Sequence, residues 1–251
     1  MKYLGIESIR PRIAVFELTG CEGCELQLAN KEETLEAFLD AVEVVNFREI
    51  SSATSDDYDI ALVDGSVSRA DEVERLEAIR ERAAVLVALG SCACFGGVNR
   101  LKNAFDLGEA NREVYGDHPQ ETLPVRAVSE VVAVDMEIPG CPVSKAEVER
   151  IVQHLIWDVP YHFPSYPVCL ECKQRYTVCT YEFGKLCLGP ITRAGCNAPC
   201  PAAGVGCWGC RGQTVEANTE EFLAAMRERG FGDDEIAERM SFFGGFEGVL
   251  P

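Results

Sequence analysis

The sequence predicts a doubly wound α/β unit followed by an irregular segment organised by metal. Three observations carry that expectation. Short apolar runs alternate with amphipathic stretches over the first 160 residues. Cysteines stand just after three of those runs, at Cys21 and Cys24, at Cys92 and at Cys141. Eight more crowd between Cys169 and Cys210, where hydrophobic periodicity is weak.

Arg12–Leu18 (RIAVFEL) has the length and apolar density of a buried strand. The stretch after it, CEGCELQLANKEETLEAFLDA, puts Leu26, Leu35 and Leu39 on one helical face. Val42–Phe47 reads as a second strand. Asp59–Val63 (DIALV) reads as a third, closed by Asp64–Gly65 and followed by the amphipathic Ala70–Arg82. Ala83–Leu89 (AAVLVAL) runs into GSCACFGG, and Val131–Ile138 runs into PGCPVSK. Lys145–Trp157 has helical spacing, and Asn99–Leu123 is a polar excursion from the pattern. Strands alternating with helices imply a parallel sheet with right-handed crossovers. The composition changes near Tyr161, which divides the chain into residues 1–160 and 161–251. Helical character returns at Thr219–Arg229 and Asp233–Phe243.

The 251-residue chain carries 41 acidic and 23 basic residues, a net charge of −18. That balance repels nucleic acid and anionic lipid surfaces. No apolar run reaches the length of a membrane span. The amino terminus shows neither a twin-arginine pair nor a basic–apolar–small signal pattern, so the expected location is cytoplasmic. Thirteen cysteines in such a protein point to metal rather than to a disulfide framework, because reducing compartments keep thiols available.

In an open parallel sheet, functional groups collect beyond the carboxyl ends of the strands. Cys21, Cys24, Cys92 and Cys141 would meet there, flanked by Gly20, Gly23, Gly90, Gly96, Gly97 and Gly140, which let backbone approach a bulky inorganic group. Cys94, two residues after Cys92, reads as a spare, buried cysteine. In the carboxyl segment, Cys169-x2-Cys172 and Cys207-x2-Cys210 are pairs whose members serve one metal centre each. Twelve thiolates suit three iron–sulfur clusters, with structural zinc as the rival. His118, His154 and His162 have no ligand spacing, and most of the acidic residues read as solvated helix faces. No hydrolytic triad or Walker-type loop appears.

With those residues in view, the chain resembles the small, electron-transferring subunit of nickel–iron hydrogenases. ELTGCEGCELQL, GSCACFGG, PGCPVSK and above all YPVCLECK, CLGPITRAGCNAPCP and CWGCRG carry the likeness, which spans nearly the whole chain. It is strongest to the cytoplasmic, bidirectional branch: sulfhydrogenase-like, nicotinamide-linked enzymes and those coupled to heterodisulfide reductase. The resemblance implies a flavodoxin-like domain holding a proximal cluster through Cys21, Cys24, Cys92 and Cys141. It implies a distal cluster on Cys169, Cys172, Cys179 and Cys187, and a medial one on Cys196, Cys200, Cys207 and Cys210.

Membrane-bound relatives have a histidine at the position of Cys169 and a proline at that of Cys200. Three four-iron clusters with all-thiolate ligation are therefore implied here. Val143 replaces a second proline of many relatives without touching a ligand position. The resemblance further implies a separate large subunit carrying the nickel site, a flavin- or ferredoxin-type electron partner, and no bond chemistry on this chain. Two other readings stand beside it. One is a zinc-stabilised scaffold without redox function. The other is the cluster subunit of a related respiratory dehydrogenase, whose members have adjacent cysteines where this chain has Cys21-x2-Cys24.

Overall fold

The computed structural model describes residues 5–6, 10–30 and 39–250, and they form two compact units, Met1–Tyr161 and His162–Pro251. The first unit is built on five parallel strands: β1 Arg12–Glu17, β2 Glu43–Asn46, β3 Ile60–Asp64, β4 Val85–Leu89 and β5 Met136–Ile138. Their order across the sheet is β2-β1-β3-β4-β5, the flavodoxin-like order with a switch point between β1 and β3. Ile13–Glu17 runs in register with Ile60–Asp64, which runs in register with Val85–Leu89. Every residue of β4 is buried, as expected of a parallel strand covered on both faces.

One face packs Ala14, Ala61, Val63, Leu86 and Ala88 against Leu76 and Ile79 of α2 (Ala70–Arg82). The other face meets Leu28 of α1 (Gly23–Ala29) and Val148 and Ile151 of α5 (Lys145–Ile156). Helix α2 has the predicted bounds. Its third residue, Glu72, reaches back so that its Oε2 accepts from the backbone N–H of Ser68 at 2.8 Å and Arg69 at 3.0 Å, the carboxylate half of a capping box. Ser144 caps α5 by accepting from the N–H of Glu147.

Three expectations change. The last strand begins at Met136 rather than Val131, because Val128–Glu130 form a 3-10 turn and Val131, Val132 and Val134 pack onto the core cluster outside the sheet. The Asp135 carboxylate accepts from the N–H of Leu86 at 2.7 Å and from Arg80, which fixes where pairing begins. Leu26 is 43% exposed, since α1 buries Cys24, Glu25 and Leu28 instead; Leu35 lies outside the described residues. Third, the polar excursion contains the 3-10 segment Gly97–Ala104, α3 (Gly90–Phe95) precedes it, and α4 (Leu107–Tyr115) follows.

The second unit has little regular structure before residue 219. It contains α6 (Val168–Gln174), a 3-10 turn at Thr180–Phe183 and the single turn α7 (Pro199–Ala202), then α8 (Thr219–Glu228) and α9 (Asp233–Ser241). Phe222, Met226, Ile236, Met240 and Phe246 close over Leu186, Leu188 and Ile191 as an apolar core. No helix among the described residues is long and apolar enough to cross a membrane.

Candidate metal centres

Cys21 and Cys24 follow β1, Cys92 lies in the turn of helix that starts where β4 ends, and Cys141 follows β5. The parallel sheet therefore delivers all four to its carboxyl edge. The Ser91 N–H donates to Gly140 O at 2.9 Å, tying the loops after β4 and β5 together. Leu18 N–H donates to Asp64 O at 2.8 Å and does the same for β1 and β3. A Cβ at Gly90 would fall 2.4 Å from Cys24 Sγ, and one at Gly97 would fall 2.7 Å from Cys92 Sγ. Both glycines also hold positive φ, so any other residue would be strained as well as obstructing.

The four thiols share one electrostatic environment. Burial pushes the Cys92 thiol up to about 12, with smaller contributions from Asp64, Cys141 and Cys21. Burial also raises Cys24 above its usual range, helped by Asp64, Cys92 and Cys141. Cys141 is raised by burial and then by Cys21. Unpaired thiolates are thus costly here, and a cationic iron centre is what would offset their repulsion. Asn99 Nδ2 lies 3.9 Å from Cys92 Sγ. Cys94 turns away: it belongs to the core cluster and its Sγ is 3.6 Å from Ala88 O.

In the second unit, Cys169, Cys172, Cys179 and Cys187 come together. The Cys169 thiol is pushed up to about 12 by burial first, then by Cys187, Cys172 and Cys179. A Cβ at Gly189 would lie 3.3 Å from Cys187 Sγ and 3.4 Å from Cys169 Sγ. The other four are less tightly gathered. Cys196 is pushed up to about 12 by burial, with Glu171 and Cys210 adding to it, and Cys207 is raised by burial, Cys187 and Cys210. Cys200 is exposed and feels Cys187 most among the thiols. The two groups adjoin where the Cys207 N–H donates to Cys187 Sγ at 3.1 Å. No disulfide is formed among the described cysteines.

The expectation of solvated acidic side chains misses five buried carboxylates: Glu25, Asp64, Glu72, Glu147 and Glu171. Glu25 is pushed up to about 8 by burial, then by Asp64 and Glu17. Glu171 accepts from the Gly195 N–H at 2.8 Å, beside Cys196. A glutamate directly after Cys24, and another between Cys169 and Cys172, were the available signals. Arg211 was also missed: it is fully buried, and its Nε donates to Ala194 O at 2.9 Å.

The family model described as NADH ubiquinone oxidoreductase, 20 Kd subunit, matches residues 21–155. Sulfhydrogenase 2 subunit delta of Pyrococcus furiosus is 38% identical over 92% of this chain and 98% of its own length. A vhu subunit of the F420-non-reducing hydrogenase of Methanocaldococcus jannaschii is 29% identical, with 96% of this chain and 95% of that protein aligned. Among solved structures, a chain of an NAD+-reducing [NiFe]-hydrogenase in the H2-reduced state superposes with a TM-score of 0.57 at 29% identity, covering 62% of this chain and 96% of that one. The actinobacterial-type NiFe-hydrogenase of Ralstonia eutropha H16 gives 0.61 at 16% identity over 98% of this chain and 85% of its own, a likeness of fold alone. The chain belongs to the NADH ubiquinone oxidoreductase 20 Kd subunit family and, within it, to the hydrogenase small subunits of the sulfhydrogenase delta kind.

Proposed function

We propose that the chain relays electrons between a nickel–iron hydrogenase large subunit, where dihydrogen is handled, and a flavin- or ferredoxin-type electron-transfer protein. The observation that carries this reading is the convergence of Cys21, Cys24, Cys92 and Cys141 from three strand-end loops, with Gly90 and Gly97 leaving space beside two of the sulfurs. The hydrogenase names of the relatives support it.

The donor set fits three four-iron clusters. Cys21, Cys24, Cys92 and Cys141 would hold a proximal one; Cys196, Cys200, Cys207 and Cys210 a medial one; and Cys169, Cys172, Cys179 and Cys187 a distal one. Clusters bound there would supply one-electron redox chemistry. The chain's own groups then set their surroundings. N–H groups directed at sulfur, from Cys207 to Cys187 Sγ and from Gly209 to Cys207 Sγ at 3.5 Å, stabilise added negative charge. A reducing, cytoplasmic compartment goes with this reading, since ligation needs thiols kept reduced.

The zinc scaffold rests on the Cys169-x2-Cys172 and Cys207-x2-Cys210 spacings alone, and iron and zinc analysis separates it from the cluster reading. The respiratory dehydrogenase reading draws on the family description. However, that match ends at residue 155, leaving all eight cysteines of the second unit outside it, and the first cysteines here are separated by two residues rather than adjacent.

Anaerobic purification of the complex tests the proposal. The chain should bring down a nickel-containing partner and be brown, with about four iron per cluster and about twelve in all. Stoichiometric zinc, or iron sufficient for only one or two clusters, would refute it. Within the set, Cys200→Pro should convert one cluster toward a three-iron form, seen as a new electron paramagnetic resonance signal in the oxidised protein. An unchanged spectrum and iron count would remove Cys200 from the ligands.

A further inference from the structure

The chain after Cys210 holds no cysteine, yet it lays two arginines on aromatic side chains that stand inside the cysteine spacings. Trp208 lies between Cys207 and Cys210, and the Arg239 guanidinium carbon sits 3.6 Å from the centre of its ring. Tyr181 lies between Cys179 and Cys187, and Arg229 stands 5.0 Å over it. The two stacks are not equivalent. Arg229 is exposed, whereas Arg239 is half-buried and has a second anchor: its Nη1 donates to Leu186 O at 3.3 Å, next to Cys187.

Helix α9 fixes the position of Arg239. Ile236 and Met240 are buried in the tail core, and Phe242, just past the helix, meets the Trp208 ring edge-on at 5.0 Å. Burial lowers Arg239 from its usual range, while Glu235, Cys187, Cys207 and Glu238 favour its charged form. Both glutamates are exposed and therefore screened by solvent and salt, whereas both thiols are buried. Cys187 and Cys207 belong to different thiol groups, which adjoin where the Cys207 N–H donates to Cys187 Sγ. A guanidinium stays protonated at any working pH, so Arg239 places a fixed positive charge beside that junction.

We propose that Arg239, held flat on Trp208, is a tuning residue whose charge raises the reduction potentials of the iron–sulfur centres bound at Cys187 and Cys207; the inference rests on the electron-relay reading above. An added electron puts more negative charge among thiolates that already repel one another, and a nearby cation offsets it. A fourth thiolate on a cluster lowers its potential by the same logic, and Arg239 acts against that where the two groups meet. Stacking on the indole holds the guanidinium without a bound carboxylate, which would cancel its field.

The test is a potentiometric titration of the intact hydrogenase complex, followed by electron paramagnetic resonance. Arg239→Gln should weaken electron uptake by these centres about tenfold, a fall of about 59 mV for a one-electron couple, with iron content unchanged. Arg239→Lys should restore most of that fall, because the charge and the stack survive. Arg229→Gln removes an exposed, screened cation and should shift the potentials less. Glu235→Gln removes a negative charge from the helix that carries Arg239 and should move the potentials upward. Wild-type potentials in Arg239→Gln would overturn the proposal, as would equal shifts in the Gln and Lys variants, which would assign the effect to packing. Should Arg239→Gln lose iron, Glu235→Gln decides: an upward shift supports the proposal and its absence overturns it. These results leave the relay function standing, whereas a wild-type chain without iron would overturn the relay reading and this inference with it.

Discussion

The two units position their thiols by opposite strategies. In the first, the sheet does the work: the core cluster of Ala14, Val63, Leu76, Ile79 and Leu86 contains none of the four cysteines assigned to the proximal centre, and Cys21 and Cys141 are exposed. In the second, thiols are part of the interior. Cys172, Cys187 and Cys207 share a buried cluster with Val168 and Ala198, and Tyr181 and Cys196 pack against it. A scaffold that folds on its own apolar surface can lose its metal and keep its shape, whereas an interior made of thiols depends on what the thiols bind.

The largest effect should come from removing iron. Anaerobic chelation should leave residues 39–161 resistant to limited proteolysis and open residues 162–211 to rapid cleavage. The tail core of Phe222, Met226, Ile236 and Met240 should protect the end of the chain longer than that segment. Equal protection of both units after iron loss would break the contrast outright.

Single cysteines sharpen it. Cys92→Ala should cost about one cluster's worth of iron, on the order of four atoms, with the first unit still folded. Cys94→Ala should keep all the iron and lower stability by about 1 kcal/mol, through lost packing in the core. Iron analysis and thermal unfolding read both. Iron loss in the Cys94 variant alone would show that the spare is the other member of the pair.

Core truncation should act on one unit at a time. Leu76 is fully buried against the sheet, and Leu76→Ala should destabilise the first unit by about 2–5 kcal/mol. Met226→Ala should do the same to the carboxyl tail without altering the first unit's melting. Hydrogen exchange followed by mass spectrometry resolves the two, and shared loss of protection would argue against separate cores.

The smallest effect concerns pH. Glu130 is held below its ordinary carboxylate range, chiefly by the Arg100 guanidinium at 2.6 Å and by accepting from the Ala127 N–H. A depressed pKa contributes stability above the unfolded value, near 4.3, and loses it as pH falls through the folded value. Because Glu130 is 42% exposed, Glu130→Gln should cost under about 1 kcal/mol near neutrality, a cost that shrinks as acid protonates the folded carboxylate. A constant difference across that range would assign the effect to packing.

Local periodicity was a good guide wherever an element's own residues decide its form. Ala70–Arg82 alternates its apolar and charged positions strongly enough to define its limits, and Thr219 and Asp233 start the two tail helices where polar or glycine caps precede them. It failed where the deciding partner is remote. Val131–Asp135 has the composition of a strand but leaves the sheet, because Asp135 is occupied by Leu86 and Arg80, some fifty residues away in the chain.

Cysteine spacing and the alternation of strands with helices together pointed, from sequence alone, to thiols gathering at the carboxyl edge of a parallel sheet, since right-handed crossovers leave that edge few alternatives. Spacing also paired Cys169 with Cys172 and Cys207 with Cys210, because residues three apart cannot separate far. Only the tertiary structure decided which carboxylates lie among those thiols. Glu25, Asp64 and Glu171 are ordinary acidic letters in the sequence. They become buried because non-local packing removes their water, and Asp64 and Glu171 recover hydrogen bonds from Gly65 and Gly195. Burial is a property of what surrounds a side chain, and those surroundings exist only once distant segments have met.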